Sequence, residues 1–294
     1  MGVPSDPEAD LHSEFSWDAA QGSMDGSRRR ALDRGLGVVA FTDHADRVEA
    51  GGAELQISGH LECAALCQQR FPRLTILSGV ELEEPPRFPD RAQGVLAEDD
   101  FDVVPGAVHC VEVGAGLVEC RRAAAEGLVS PPELIRGHLA ELMHLLRSPV
   151  ELGVLAHLEY PKRYWRSATS HIRAPRGDPG RVGGGRPEGG RPGVKHHRGW
   201  APERGLRPAP EVIHWWRGAG GRAVSTGSDA HGPNEVGRGL NLARQALEAA
   251  GFTSSAGTGL LWATSPGLTP SRPEAAPGIL GAEPATPAAR PEPV

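Results

Sequence analysis

His44, Glu81, His109, His157, Asp229 and His231 each close a short apolar run, in "LGVVAFTDH", "LTILSGVELE", "FDVVPGAVHC", "VLAHLEY" and "RAVSTGSDAH". A lone histidine in such a place is usually a hydrogen-bonded structural residue. Imidazoles and carboxylates delivered repeatedly in the same way form a ligand set, because mixed nitrogen and oxygen donors suit zinc, manganese or iron. They are too many for one four-coordinate ion, so the set implies a multinuclear centre. A further group, Asp10, His12 and Asp18 in "DLHSEFSWD", stands ahead of a predicted helix and has the composition of half a metal site.

These runs need elements that carry them to one place. Helical patterns separate them: "SGHLECAALCQQRF" is amphipathic with Ser58 as its expected cap, and "SPPELIRGHLAELMHLLRS" opens with Ser130, Pro131 and Glu133 as cap, first-turn proline and capping-box acid. "PAPEVIHWWRGAGG" and "GLNLARQALEAAG" are helices that stop at glycine. Short buried strands alternating with amphipathic helices predict repeated βα units around a mainly parallel sheet. In a parallel βα barrel all strand C-termini meet on one face, and every residue named above would project there. The length of 294 residues suits one such barrel, since barrels commonly run to about 250 residues.

Bulk properties narrow the partners. The formal net charge of -6, from 31 basic and 37 acidic residues, gives no electrostatic footprint for nucleic acid or a membrane surface. No basic leader precedes an apolar stretch, and no uncharged apolar run approaches about 18 residues, so a soluble cytoplasmic protein is expected. Cys63, Cys67, Cys110 and Cys120 lack zinc-type spacing and read as reduced thiols. His60, His138, His144 and His214 fall on predicted helices and are assigned to surface or packing positions, and Trp215-Trp216 to core and rim packing.

In this order, "HSEFSWDA", "AFTDHAD", "GVELEEP", "GAVHC", "LAHLEYPKRYW" and "GSDAHGP" resemble the motifs of the PHP (polymerase and histidinol phosphatase) family of metal-dependent phosphoesterases, over about residues 8 to 250. The resemblance implies a distorted (β/α)7 TIM-like barrel with two or three divalent metal ions at its C-terminal face. The centre would be built from Asp10, His12, Asp18, His44, Glu81, His109, His157, Asp229 and His231, with Glu81 bridging two ions and Glu81, Asp229 and His231 as its catalytic members. It also implies phosphomonoester hydrolysis, with a small phosphorylated substrate, foremost L-histidinol phosphate in histidine biosynthesis. Adjacent cations would lower the pKa of a shared water and neutralise phosphoryl oxygens during in-line displacement. Lys162 and Arg163, directly after His157, could clamp a phosphate dianion, with Arg163 ranked first. Two other readings stay open: a catalytically impaired metal-binding relic, and a phosphoesterase acting on another small phosphate or a nucleotide.

Two departures from the family pattern bear on activity. The first motif of the family is His-x-His, and this chain has Asp10-Leu11-His12. Either Asp10 replaces the first histidine, or Asp10 is the family's preceding acid and a histidine has been lost. The second departure is residues 167–198, dense in Gly, Pro and Arg, where the barrel needs a helix and a strand. A linker is one reading. A stretch read out of frame is the other: a chain with two lysines among 31 basic residues points to a GC-rich gene, whose shifted frames yield Gly, Pro and Arg. If the segment is real as written, one βα unit of the 1–263 barrel would leave a gap or recruit a poor strand. The Pro/Ala-rich residues 264–294 are expected to be a disordered tail.

Overall fold

The computed structural model describes residues 7–45, 55–164, 191–195, 206–254 and 261–264. Among them the chain forms eleven strands: β1 (Glu8–Leu11), β2 (Val38–His44), β3 (Thr75–Glu83), β4 (Pro105–Ala107), β5 (Cys110–Val113), β6 (Gly116–Glu119), β7 (Val154–Leu155), β8 (Arg191–Lys195), β9 (Ala223–Gly227), β10 (Phe252–Ser254) and β11 (Leu261–Thr264). Seven α-helices lie between them: α1 (Met24–Asp33), α2 (Ile57–Arg70), α3 (Pro89–Leu96), α4 (Cys120–Ala125), α5 (Pro131–Leu145), α6 (Pro210–Gly218) and α7 (Leu240–Ala249).

The main sheet runs β1-β2-β3-β4-β7-β8-β9, with every neighbouring pair parallel. It curls so that its first and last parallel strands meet: Leu11 bridges Ala230, and the His12 amide donates to the Ala230 carbonyl at 2.8 Å. Gly227 permits this approach, because a Cβ there would stand 2.5 Å from Cβ of Asp10. Glu8 locks the seam, one carboxylate oxygen accepting the Ser228 amide at 2.7 Å and the other the Gly237 amide at 3.1 Å. Burial pushes the Glu8 carboxyl up to about 8, against the hydrogen bonds that favour its charge. The arrangement is the expected α/β barrel built from seven parallel strands.

Local sequence explains the elements. Every residue of β2 is buried, as a central parallel strand covered on both faces requires. Ser23 caps α1 by accepting the Gly26 amide, and Ser130 and Glu133 form the expected capping box at α5. The expected Ser58 cap is corrected: α2 starts at Ile57, with Gln56 in the cap position and no side-chain capping bond. Leu11, Met24, Val39, Phe41, Leu74 and Leu240 make a core between β1, β2 and the helices that follow, and Val80, Leu82 and Ala92 make another between β3 and α3. Outside the parallel sheet, β5 and β6 form a hairpin turned at Gly114, and β11 adds antiparallel to β9 with β10 at its outer edge.

Within the Gly/Pro/Arg-rich stretch, Arg191–Lys195 takes the strand position between β7 and β9, in parallel register with both. The gap is therefore filled by a short segment carrying one proline and one glycine. The rest of 167–198, including His171 and His196, lies outside the described residues, as does His197. Residue 264 belongs to β11, and the remainder of the expected tail lies outside the described residues.

Candidate metal centre

The C-terminal ends of β1, β2, β3, β4, β7 and β9 converge, and all nine residues singled out as ligands come together there. Three overlapping groups form: His12, Asp18, His44 and His231; Glu81, His109 and His157; and Asp10, His12 and Glu81. Within each, one donor atom per residue lies within 4.8 Å of the others. Glu81 and His12 each belong to two groups, which ties the three into one centre.

Strand periodicity aims the donors. Asp10 and His12 are two residues apart on β1 and its extension, so they share a face, and His12 Nε2 stands 3.8 Å from Asp10 Oδ1 and 3.2 Å from Asp229 Oδ1. Asp10 thus reaches the cluster from the first position of the Asp-x-His pair, and its Oδ1 accepts the Thr42 hydroxyl at 2.5 Å. Glu81, at the end of β3, approaches His157 Nε2 at 3.1 Å and His109 Nε2 at 3.6 Å through Oε1, and His12 Nε2 at 3.8 Å through Oε2. His231 Nε2 and Asp18 Oδ2 are 2.9 Å apart, and the His12 ring stacks against those of His44 and His231 at centroid distances of 4.5 and 4.2 Å. His157 and Asp229 leave their strands with φ of 52° and 55°, a left-handed backbone that costs non-glycine residues about 1–3 kcal/mol and concentrates at functional sites.

The electrostatics follow from packing carboxylates and imidazoles together out of bulk solvent. Burial works to lower the His44 imidazole, but Glu83, Glu81 and Asp18 raise it well above the usual histidine range. Burial would raise Asp229, yet the Arg163 guanidinium and His157 hold it well below the usual carboxylate range. Glu83 is lowered to about 2, its burial outweighed by His44 and His109. Nε2 of His12 and Nε2 of His109 are buried and make no hydrogen bond. These nitrogens, surrounded by carboxylate oxygens, fit divalent cations of the zinc, manganese or iron class.

The two predicted substrate cations part company. Arg163, on the 3₁₀ turn Tyr160–Tyr164, sends Nη2 to Asp229 Oδ2 at 2.6 Å and to His157 Nδ1 at 2.8 Å, with its guanidinium 4.7 Å from the Tyr160 ring centre. Its Nε is buried without a hydrogen-bond partner. Lys162 points elsewhere and pairs with Glu159.

Several site residues escaped the sequence reading. Glu83 lies two residues beyond Glu81 on the same strand face, and that period was the available signal. Asp43 faces the other side of β2 from His44, where it binds Ser13 and, on α2, His60. Glu84 accepts the His109 and Cys110 amides at 2.5 and 2.8 Å, fixing the turn that carries His109. His60 and His138 are buried and the His144 side chain is 52% exposed, packing and surface positions as expected of them.

Comparison with known proteins agrees with this architecture. The structure is similar to the histidinol phosphate phosphatase of Lactococcus lactis subsp. lactis Il1403, solved with zinc, L-histidinol and phosphate: TM-score 0.72, 19% identity, covering 86% of this chain and 97% of that one. It is also similar to a candidate histidinol phosphatase of Listeria monocytogenes, with TM-score 0.67 and 14% identity, covering 80% of this chain and 99% of the other. At these identities the likeness is one of fold. No curated protein matches the sequence. No helix among the described residues is long and apolar enough to cross a membrane. The sequence profile of the PHP domain matches residues 8–174, more than half of the chain, and with the ordered motifs and the barrel this establishes that the protein belongs to the PHP domain family.

Proposed function

We propose that this protein is a metal-dependent phosphomonoesterase that converts L-histidinol phosphate and water to L-histidinol and phosphate. The observation that carries the reading is the convergence of eight potential ligands in three groups linked through Glu81 and His12, with Asp229 beside His12 and held by Arg163. The similar Lactococcus lactis protein, solved with L-histidinol, phosphate and zinc, supports the choice of substrate and metal.

Asp10, His12, Glu81 and Asp229 would hold one ion, Glu81, His109 and His157 a second, and Asp18, His44 and His231 a third. When bound, such ions supply a water acidic enough to ionise near neutral pH and positive charge to offset the phosphoryl oxygens and the leaving alkoxide. The chain's own contribution is positional. Arg163 holds Asp229 and His157 in place through Nη2, and its charge beside them would favour a phosphoryl oxygen. The site is set well below the surface: eight of the nine ligand candidates are buried, and Asp18 alone is half-buried.

The test is phosphate release from L-histidinol phosphate, compared with p-nitrophenyl phosphate and nucleoside monophosphates, with zinc or manganese and with chelator. Chelator-sensitive release with a clear preference for L-histidinol phosphate is expected. Metal-loaded protein that prefers another phosphomonoester refutes the substrate assignment. Loaded protein that releases phosphate from none of them refutes the hydrolase reading and leaves the metal-binding relic consistent with Asp10.

A further inference from the structure

Glu83 does something that no simple ligand list captures. Its Oε1 stands 3.0 Å from Nδ1 of His44 and 3.3 Å from Nδ1 of His109. These two histidines serve different groups: His44 faces Asp18 with its Nε2, at 3.8 Å, and His109 faces Glu81 with its Nε2, at 3.6 Å. One buried carboxylate oxygen therefore receives the back edges of two imidazoles whose front edges point at separate clusters.

We propose that Glu83 is a positioning residue shared by two metal sites, fixing the tautomer and ring orientation of His44 and His109 together and so coupling the integrity of the two sites. The physical basis is general. A histidine ligand is held by the hydrogen bond its second nitrogen makes, and a carboxylate there both orients the ring and raises its basicity as a ligand. Usually each histidine has its own partner. Here Glu83, 4% exposed and held on β3 two residues from Glu81, faces both with one oxygen, so any shift or loss of its carboxylate reaches both rings at once. The rings lie 5.8 Å apart and nearly perpendicular; His109 Nδ1 hydrogen-bonds Glu83 Oε1, while His44 Nδ1 stands 3.0 Å from the same oxygen, close enough that a small turn of its ring completes the second bond.

The inference rests on the metal-centre part of the reading above and not on the substrate, so metal binding reads it directly. Purified full-length chain is stripped with chelator and titrated with zinc against a chromophoric competitor, for wild type, Glu83→Ala, Glu83→Gln and, as single-site references, His44→Ala and His109→Ala. Loss of an outer partner weakens metal affinity about 10–100-fold. In Glu83→Ala two ions per chain are expected to weaken by that factor together, where each histidine variant weakens one. Glu83→Gln is expected to recover most of the affinity at both, because its single amide oxygen can accept both bonds. Should the alanine variant fail to fold, Glu83→Leu, which keeps the bulk and removes the acceptor, takes its place, with weakening at both sites expected and weakening at one site or none overturning the proposal. Weakening of one ion only, or wild-type affinity in Glu83→Ala, overturns the proposal. Wild-type protein that binds no zinc overturns the metal centre itself.

Discussion

Asp43→Ala removes a carboxylate on which three hydrogen bonds converge. Oδ1 accepts the Ser13 amide at 2.5 Å, and Oδ2 accepts the Ser13 hydroxyl at 2.6 Å and the His60 Nδ1–H at 2.8 Å. The carboxylate is fully buried, and although burial would raise its pKa, His60 and Ser13 hold it below the usual range. Hydrogen bonds to a charged group contribute about 1.5–3 kcal/mol each, so three represent roughly 4.5–9 kcal/mol before the relief of no longer burying a charge. That relief brings the expected destabilisation to about 3–5 kcal/mol, the range for breaking one side of a buried pair. Urea unfolding of metal-free wild type, Asp43→Ala, His60→Ala and the double variant measures it. Because the two side chains share one network, the double variant should be less damaged than the sum of the singles, by about 0.5–3 kcal/mol. Ser13 directly follows His12 and Asp43 directly precedes His44, so zinc affinity should fall as well. A loss below about 1 kcal/mol for Asp43→Ala, or strictly additive singles, refutes the view that this latch seats the first two ligand-bearing turns.

Further outcomes follow from the same geometry. Arg163→Ala should lower kcat/KM for a phosphomonoester about 10–100-fold, the loss of one charge-assisted contact, while Lys162→Ala, already paired with Glu159, should stay within about threefold; equal effects contradict the separation of the two cations. Zinc at about 100 times its dissociation constant should stabilise the fold by about 2.7 kcal/mol per independent site, or roughly 5–10 °C in Tm, and a melting curve indifferent to chelator contradicts a structural stake for the metal. Asp10→Asn keeps the side chain's shape and removes its charge, so it should weaken zinc at the group shared with His12 and Glu81; unchanged affinity for every ion places Asp10 outside the coordinating set.

The parallel strands were legible because a strand covered on both faces carries a run of apolar residues, as Val38–Phe41 of β2 does, and because chemistry sits at the C-terminal ends. Strand length was less legible. β4 and β7 have three and two residues, and His109 and His157 are carried on the turns that follow rather than on the strands themselves. β8 could not be read at all, since "RPGVK" has neither apolar period nor β-branched density, and only its neighbours β7 and β9 define it. The antiparallel pieces, β5–β6 and β10–β11, lie outside the βα repeat and left no comparable pattern. At the site, ligand identity was legible from residue type and position, because few other uses gather histidines at strand ends. The supporting residues were not: Glu83, Asp43 and Glu84 act through bonds to neighbours distant in sequence, and only the strand period hinted at the first. Lys162 and Arg163 look equivalent in sequence, and the turn that separates their directions is set by packing of Tyr160 against the site.

The central claim is that Glu81 joins two groups of one multinuclear centre, and counting ions tests it most directly. Metal per chain would be measured by elemental analysis after zinc or manganese loading and removal of excess ion, for wild type and Glu81→Ala. The account predicts two or three ions in the wild type and a fall of more than one in the variant, because one side chain serves both Asp10–His12 and His109–His157. A wild type holding one ion or none, or a variant that keeps the full number, contradicts it.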